Sequence, residues 1–382
     1  MSQFNFELSA ELRSLNLSQV ITLKVWLPGR NLMRVVRRLP GFIQKCLGLP
    51  YLERCEMRPL HDPQGRTFPY LRLSLTDLCN FSCNYCLPDG CEEHHHKQSL
   101  DVAEIRRLVT AFSAVGVEKI RLTGGEPTLR SDFNDIVSTI KSIPGIKKVA
   151  MTTNGYKMDQ RVESWLASGL DQLNVSIDSL DPRAFEAITG HDRLQEILAG
   201  IEKAFAYGLP SIKVNAVLMK DVNDIQLGAF LDWIKHQPVT MRFIELMQTG
   251  NNGSFFNQYH VPGQQIRDQL LEKGWVRMAR KRDAGPAYEY CHPDYQGRVG
   301  LITPYSRDFC KECNRLRVSS QGHLQLCLFS ESGHDLRRLL QDDSQQDELI
   351  QEIRSVLRLK VDGHFLDQGY TGGTQNLAQI GG

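Results

Sequence analysis

No stretch of about 18 uncharged apolar residues occurs in the 382-residue chain, so nothing in it reads as a span across a bilayer. The signal-peptide pattern of basic start, apolar middle and small-residue cleavage site is also missing. Net charge is almost nil. The 45 Lys+Arg and 44 Asp+Glu leave +1, which gives no bulk attraction for a nucleic acid or an acidic polymer, so any anion binding must be local. There is no short repeat and no low-complexity tract. These absences predict a self-standing cytoplasmic protein with neither nucleic-acid nor membrane partner, long enough for two or three domains or one barrel with an addition.

What the chain does have is clustered cysteine. Ten cysteines fall at 46, 55, 79, 83, 86, 91, 291, 310, 313 and 327, and six of them form two tight triplets. In a chain of this size that pattern reads as metal ligation in a reducing compartment. The first, in "LTDLCNFSCNYCLPDG", is C-x3-C-x2-C: Cys79, Cys83 and Cys86. It fits a structural zinc site with Cys91 as fourth ligand, or an iron–sulfur cluster with one iron free of cysteine. The compact triplet, with Cys91 beyond Pro88 and Gly90, favours the cluster. The second, in "CKECNRLRVSSQGHLQLC", is C-x2-C-x13-C: Cys310, Cys313 and Cys327. Alone it suits a zinc ribbon completed by Cys291, His292 or His323 equally well; beside the first triplet, a second open cluster is the better reading. His94 to His96 in "EEHHHK" read as a solvated loop, and Cys46, Cys55 and Cys91 have no assignable partner.

Residues 1–56 differ from the rest. They carry eight Lys/Arg and four Asp/Glu, a net +4, leaving −3 for the remainder. The basic, apolar piece "LPGRNLMRVVRRLPGFIQKCLGLP" suits a surface helix or a targeting segment, but Glu7 and Glu11 spoil a transit-peptide pattern. The expectation is a poorly ordered extension, or sequence upstream of a true start at Met57.

From about residue 71 to 247, strand-like and helix-like segments alternate. Strands are expected at "YLRLSL", "KIRLT", "KKVAMTT", "QLNVSID", "IKVNAVLM" and "MRFIEL". Asp101 and Glu104 form a capping box for a helix with apolar Ile105, Leu108, Val109 and Phe112. Six βα units imply a parallel sheet in a full or partial barrel, an α/β fold whose chemistry gathers at the carboxyl ends of the strands. The domains expected are the extension at 1–56, the barrel at 57–250 and a cluster-bearing α+β region at 251–382.

The first triplet, with Tyr85 before its last cysteine and "TGGEP" (Thr123 to Pro127) on the next strand, resembles the radical S-adenosylmethionine superfamily. Both triplets, "NRLR" after Cys313 and the terminal "IGG" together look like the GTP 3′,8-cyclase family of molybdenum cofactor biosynthesis, over about residues 57–382. The resemblance implies two [4Fe-4S] clusters, with the open iron of the first holding S-adenosylmethionine and that of the second holding GTP. It implies hydrogen removal from C3′ of GTP and closure onto C8 of guanine, giving (8S)-3′,8-cyclo-7,8-dihydroguanosine 5′-triphosphate.

Site residues follow from the same resemblance. Tyr85, Gly125, Ser176 and Met247 would contact S-adenosylmethionine. Arg72, Arg121, Thr152, Lys213, Arg315, Leu316 and Arg317 would contact GTP. Lys119, Arg121 and the tail glycines Gly381 and Gly382 would act in catalysis. Arginine suits such work because its planar fork pairs with phosphate and keeps its charge when desolvated. The resemblance also implies an electron donor such as flavodoxin or ferredoxin, transfer of product to cyclic pyranopterin monophosphate synthase, and room for a homodimer. Two other readings compete: a radical S-adenosylmethionine peptide maturase with an auxiliary cluster, and a zinc-binding structural scaffold.

Overall fold

The computed structural model describes residues 59–87, 98–280 and 284–374 in full, and the backbone of 22–27 and 30–35. Cys46, Cys55, Cys91, His94 to His96, Gly381 and Gly382 lie outside the described residues. Residues Met1–Glu56 and Met57–Gly382 form separate compact units. In the first, β1 (Thr22–Leu27) pairs antiparallel with β2 (Arg30–Val35), with Leu27 opposite Arg30. β2 falls within the basic piece that could suit a surface helix, so its six residues are strand instead.

In the larger unit six parallel strands lie side by side in chain order: β3 (Tyr70–Ser74), β4 (Lys119–Thr123), β5 (Lys148–Thr153), β6 (Gln172–Ser176), β7 (Ile212–Leu218) and β8 (Val239–Glu245). Helices α1 (Val102–Ala114), α2 (Phe133–Ser142), α3 (Met158–Ala167), α4 (Pro182–Thr189), α5 (Leu194–Ala206) and α6 (Leu227–Lys235) connect them. The Asp101–Glu104 capping box forms, with Glu104 N donating to Asp101 Oδ1 at 2.8 Å and Asp101 N to Glu104 Oε2 at 2.9 Å. Strand alternation then sorts the side chains. Leu71, Leu73, Ile120, Leu122, Leu173, Val175 and Val214 belong to the buried core, while Arg72, Arg121, Asn174, Lys213, Asn215 and Arg242, at the other parity, line a single cavity.

The chain beyond β8 extends the same sheet. β9 (Val276–Arg277), β10 (Tyr288–Cys291) and β11 (Arg298–Ile302) add beside β8, while β12 (Arg315–Val318), β13 (His323–Gln325) and β14 (His334–Asp335) add beside β3. The strands that make the joins, β11 on β8 and β12 on β3, run parallel to their neighbours. Both edges that a six-stranded open sheet would leave bare are thus paired. Helices α7 (Gly253–Tyr259), α8 (Gly263–Glu272) and α9 (Gln346–Leu357) complete the region. It is tied back to α1 by Arg337 on Glu104 at 2.9 Å, and by Arg106 and Arg107, which both reach Asp343 at 2.6 Å.

Candidate active site

The first cysteine triplet occupies the loop leaving β3, at the carboxyl end of the parallel strands. Cys86 N and Leu87 N both donate to Cys83 O, at 2.9 and 2.8 Å, so the loop is tightly wound. Ser82 N and Asn84 N donate to Thr189 O and Ile188 O at 3.2 and 3.0 Å, which fixes it on the end of α4. Burial, then Asp178, then Cys86 and Cys79 push the Cys83 thiol well up.

The "TGGEP" turn packs beneath that loop, with Gly125 N donating to Thr76 O at 2.9 Å and Glu126 N to Leu78 O at 2.7 Å. A Cβ on Gly125 would lie 2.1 Å from Leu78 O. The glycine is therefore required by backbone packing under the cysteines, a separate ground from the ligand approach expected of it. Glu126 is buried and accepts from Thr153 Oγ1 at 2.9 Å and Asn154 N at 2.7 Å, which joins the ends of β4 and β5. Tyr85 donates its hydroxyl to Asp178 Oδ2 at 2.9 Å. Burial raises Asp178 to about 6, against the pull of the Val217 N–H and the Tyr85 hydroxyl. Ser176 ends β6, and Met247 stands two residues past β8.

The second triplet opens onto a cavity with about 1080 Å³ of empty space, mouth included. Cys310, Cys313 and Cys327 line it together with Arg72, Lys119, Arg121, Lys213, Arg242, Arg315 and Arg317, and among the described residues no Asp or Glu belongs to its wall. Strand register explains the convergence. Arg317 lies opposite Arg72, and Arg72 opposite Arg121; one step away on the same face, Arg315, Tyr70 and Lys119 form a second row. Met247 reaches the same cavity. Thr152 contacts it indirectly, accepting from Arg121 Nη1 at 3.3 Å. The Leu316 side chain turns to the core, with no exposed surface, so its place in the set would rest on its backbone.

Crowding of like charge shows in the titration of these groups. Burial, then Arg242, lowers Lys213 to about 7, with Glu289 pulling the other way. Burial also lowers Arg72 to about 10; Tyr70 holds it up while Arg121, Arg315 and Arg242 push it down. Tyr70 moves oppositely: burial would raise its phenol, but Arg121, Arg72 and Lys119 bring it down to about 7. Arg121 Nε donates to the Tyr70 oxygen at 2.5 Å. Glu289 lies 3.2 Å from Arg242 and 3.8 Å from Lys213. A pocket of this composition is built for a ligand with several negative charges, which would satisfy cations that burial otherwise penalises.

The sulfurs of the second site feel that field. Burial raises the Cys313 thiol, but Arg315 and Lys360 more than offset it and bring it down to about 7. Burial first, against a His364 backbone hydrogen bond, and then the Cys327 and Cys313 sulfurs push Cys310 up to about 11. Each site offers three thiols, the soft donor set that an iron–sulfur cluster takes with one thiolate to an iron.

Sequence reasoning missed Tyr70, Asn174, Asn215 and Arg242 as members of this cavity. The signal was available: each shares strand parity with a residue that was found, Tyr70 with Arg72, Asn174 with Ser176, Asn215 with Lys213, while Arg242 is a charge set between apolar Met241 and Phe243 inside a strand. Lys360 and Glu289 come from distant segments and left no local signal.

Comparison with known proteins agrees with this geometry. The family profile of the Radical SAM superfamily matches residues 73–234, and that of Molybdenum Cofactor Synthesis C matches 239–366. Among solved structures, Streptococcus suis SuiB bound to S-adenosylmethionine superposes with a TM-score of 0.53 at 14% identity, covering 92% of this chain and 78% of that one, a likeness of fold. Fold and first cysteine loop together define a radical S-adenosylmethionine enzyme. The GTP 3′,8-cyclase of Yersinia pestis is 56% identical over 326 residues, 85% of this chain and all of that protein. That of Vibrio vulnificus strain CMCP6 is 52% identical over 334 residues, 87% of this chain and again the whole relative. The chain belongs to the GTP 3′,8-cyclase family.

Proposed function

We propose that this chain cyclises GTP to (8S)-3′,8-cyclo-7,8-dihydroguanosine 5′-triphosphate, the first step of molybdenum cofactor biosynthesis. The observation that carries the reading is the joining of a cysteine triplet and seven Arg/Lys side chains in one cavity, with no carboxylate in its wall among the described residues. Arg72, Arg121, Lys213, Arg315 and Arg317, with Thr152 and the Leu316 backbone beside them, take the nucleotide, and Lys119 and Arg121 attend the reacting sugar and base. Tyr85, Gly125, Ser176 and Met247 form the S-adenosylmethionine side. Cys79, Cys83 and Cys86 hold one [4Fe-4S] cluster and Cys310, Cys313 and Cys327 another.

A cluster held by Cys79, Cys83 and Cys86 would supply the one-electron chemistry that yields a radical from S-adenosylmethionine, and one held by Cys310, Cys313 and Cys327 would supply an open coordination site beside the nucleotide. The chain's own contribution is placement. Two rows of cations on β12, β3 and β4 fix the triphosphate, the apolar Met247 excludes water beside the sugar, and Arg121, already a donor to Tyr70 and Thr152, has its guanidinium held rigidly for the charge that develops. Gly381 and Gly382 are taken to act in catalysis, as the resemblance implies. The electron comes from a flavodoxin- or ferredoxin-type donor in the cytoplasm, and the product passes to a cyclic pyranopterin monophosphate synthase.

The test is anaerobic incubation of the reconstituted protein with GTP, S-adenosylmethionine and dithionite, with products separated and weighed. The cyclised nucleotide and 5′-deoxyadenosine are expected together; 5′-deoxyadenosine alone, with GTP recovered intact, would overturn the reading.

A further inference from the structure

Two carboxamides in the cavity have no assigned work. Asn174 on β6 and Asn215 on β7 both line it, and both have a buried oxygen, Oδ1, with no hydrogen-bond partner among the described residues. Asn174 is 4% exposed. Leaving such an acceptor buried and unpaired is unfavourable, and native interiors satisfy most of theirs. An unpaired acceptor on a residue that lines a ligand cavity therefore calls for a donor that the ligand brings.

The position narrows the ligand group. Cations line the cavity from β12, β3 and β4 on one side (Arg317, Arg72, Arg121) and from β7 and β8 on the other (Lys213, Arg242). The strands between, β5 and β6, contribute no charge to its wall, and the polar group that β6 offers is Asn174. In register Asn174 sits between Thr152 and Lys213, and Asn215 between Ser176 and Arg242. An ionised phosphate oxygen only accepts, so it cannot satisfy Oδ1. A sugar hydroxyl both donates and accepts, and a ribose presents two side by side.

We infer that Asn174, with Asn215, reads the vicinal ribose hydroxyls of the nucleotide and so determines specificity for a ribonucleotide over its deoxy analogues. This rests on the GTP-binding reading above and adds the part of the substrate that the cations do not see. The pair holds the sugar at the point in the cavity where its ring must be fixed for one carbon to be reached. Asn174 is a specificity residue, and its unpaired state without ligand is the cost of that selectivity.

The test uses anaerobically reconstituted full chain with S-adenosylmethionine and no reductant, measuring Kd for GTP, 2′-deoxy-GTP and 3′-deoxy-GTP by calorimetry, in the native protein and in Asn174→Ala and Asn215→Ala. The native protein should favour GTP over at least one deoxy analogue by about tenfold, the worth of one well-made hydrogen bond, and Asn174→Ala should bring that ratio to within about twofold. Melting without nucleotide supplies the second readout: removing an unpaired buried carboxamide should leave Tm unchanged or higher. Ratios equal to the native ones in both variants would overturn the inference, as would a lowered Tm in Asn174→Ala with discrimination intact, which marks a structural residue. If the native protein fails to bind GTP at all, the parent reading falls first, and that result is distinguishable from the other two.

Discussion

The loop carrying Cys79, Cys83 and Cys86 packs against neutral backbone and has a carboxylate, Asp178, acting on its central sulfur, whereas Cys310, Cys313 and Cys327 share a wall with Arg315 and Arg317 and feel the charge of Lys360. Each site has three cysteines, which leaves a cluster one open iron. The surroundings decide what can come to it. S-adenosylmethionine carries a sulfonium and an ammonium against one carboxylate, so it suits a site without crowded cations; a nucleoside triphosphate suits the opposite. The two triplets thus differ less in spacing than in the charge that surrounds them.

The largest effect expected is at the first site. Cys79→Ala should lower S-adenosylmethionine cleavage by at least about 1000-fold, since the chemistry belongs to the cofactor and the protein only places it; liquid chromatography of 5′-deoxyadenosine reads this, and cleavage at a native rate would break the comparison. At the second site Arg317→Ala should weaken GTP binding by roughly 10- to 150-fold, the worth of charge-assisted hydrogen bonds to phosphate, as measured by calorimetry. A change under twofold would put the triphosphate elsewhere.

The comparison also sharpens with pH. Without nucleotide, Lys213 and Tyr70 both titrate near 7. A bound polyanion favours protonated Lys213 and neutral Tyr70, so it raises both values and binding takes up protons above pH 7. GTP affinity should therefore fall as pH rises from 7 to 9, by up to about tenfold per unit for each proton taken up. S-adenosylmethionine binding at the first site should show no such dependence from these two groups, and parallel slopes would contradict the assignment.

The smallest effect concerns support for the second site. Arg66 pairs with Asp62 at 2.6 Å and donates to Cys310 O at 2.9 Å and Val361 O at 2.6 Å. Asp62→Ala leaves that guanidinium without its buried carboxylate and should cost about 3 kcal/mol of unfolding free energy in urea, with iron lost preferentially from the second triplet.

These residues also show what the sequence made legible. Period-two strands, the Asp101–Glu104 box and six βα alternations are local patterns, and they set the barrel. The cavity was legible in part, since Arg72, Arg121 and Lys213 repeat within strands at a parity that marks the concave side. The extension of the sheet was not. β9 and β14 are two residues long, β13 three, and the sheet reaches them only through β11 on β8 and β12 on β3, the second join being made by segments more than 200 residues apart. Arg66 on Cys310 is of the same kind: nothing near either residue in the chain foretells the other.

The central claim is that the second triplet is a substrate site, separate in task from the first. Product analysis of Cys327→Ala, incubated anaerobically with GTP, S-adenosylmethionine and dithionite, tests it most directly. The account predicts 5′-deoxyadenosine from uncoupled cleavage with no cyclised nucleotide; full formation of the cyclised product by this variant would contradict it.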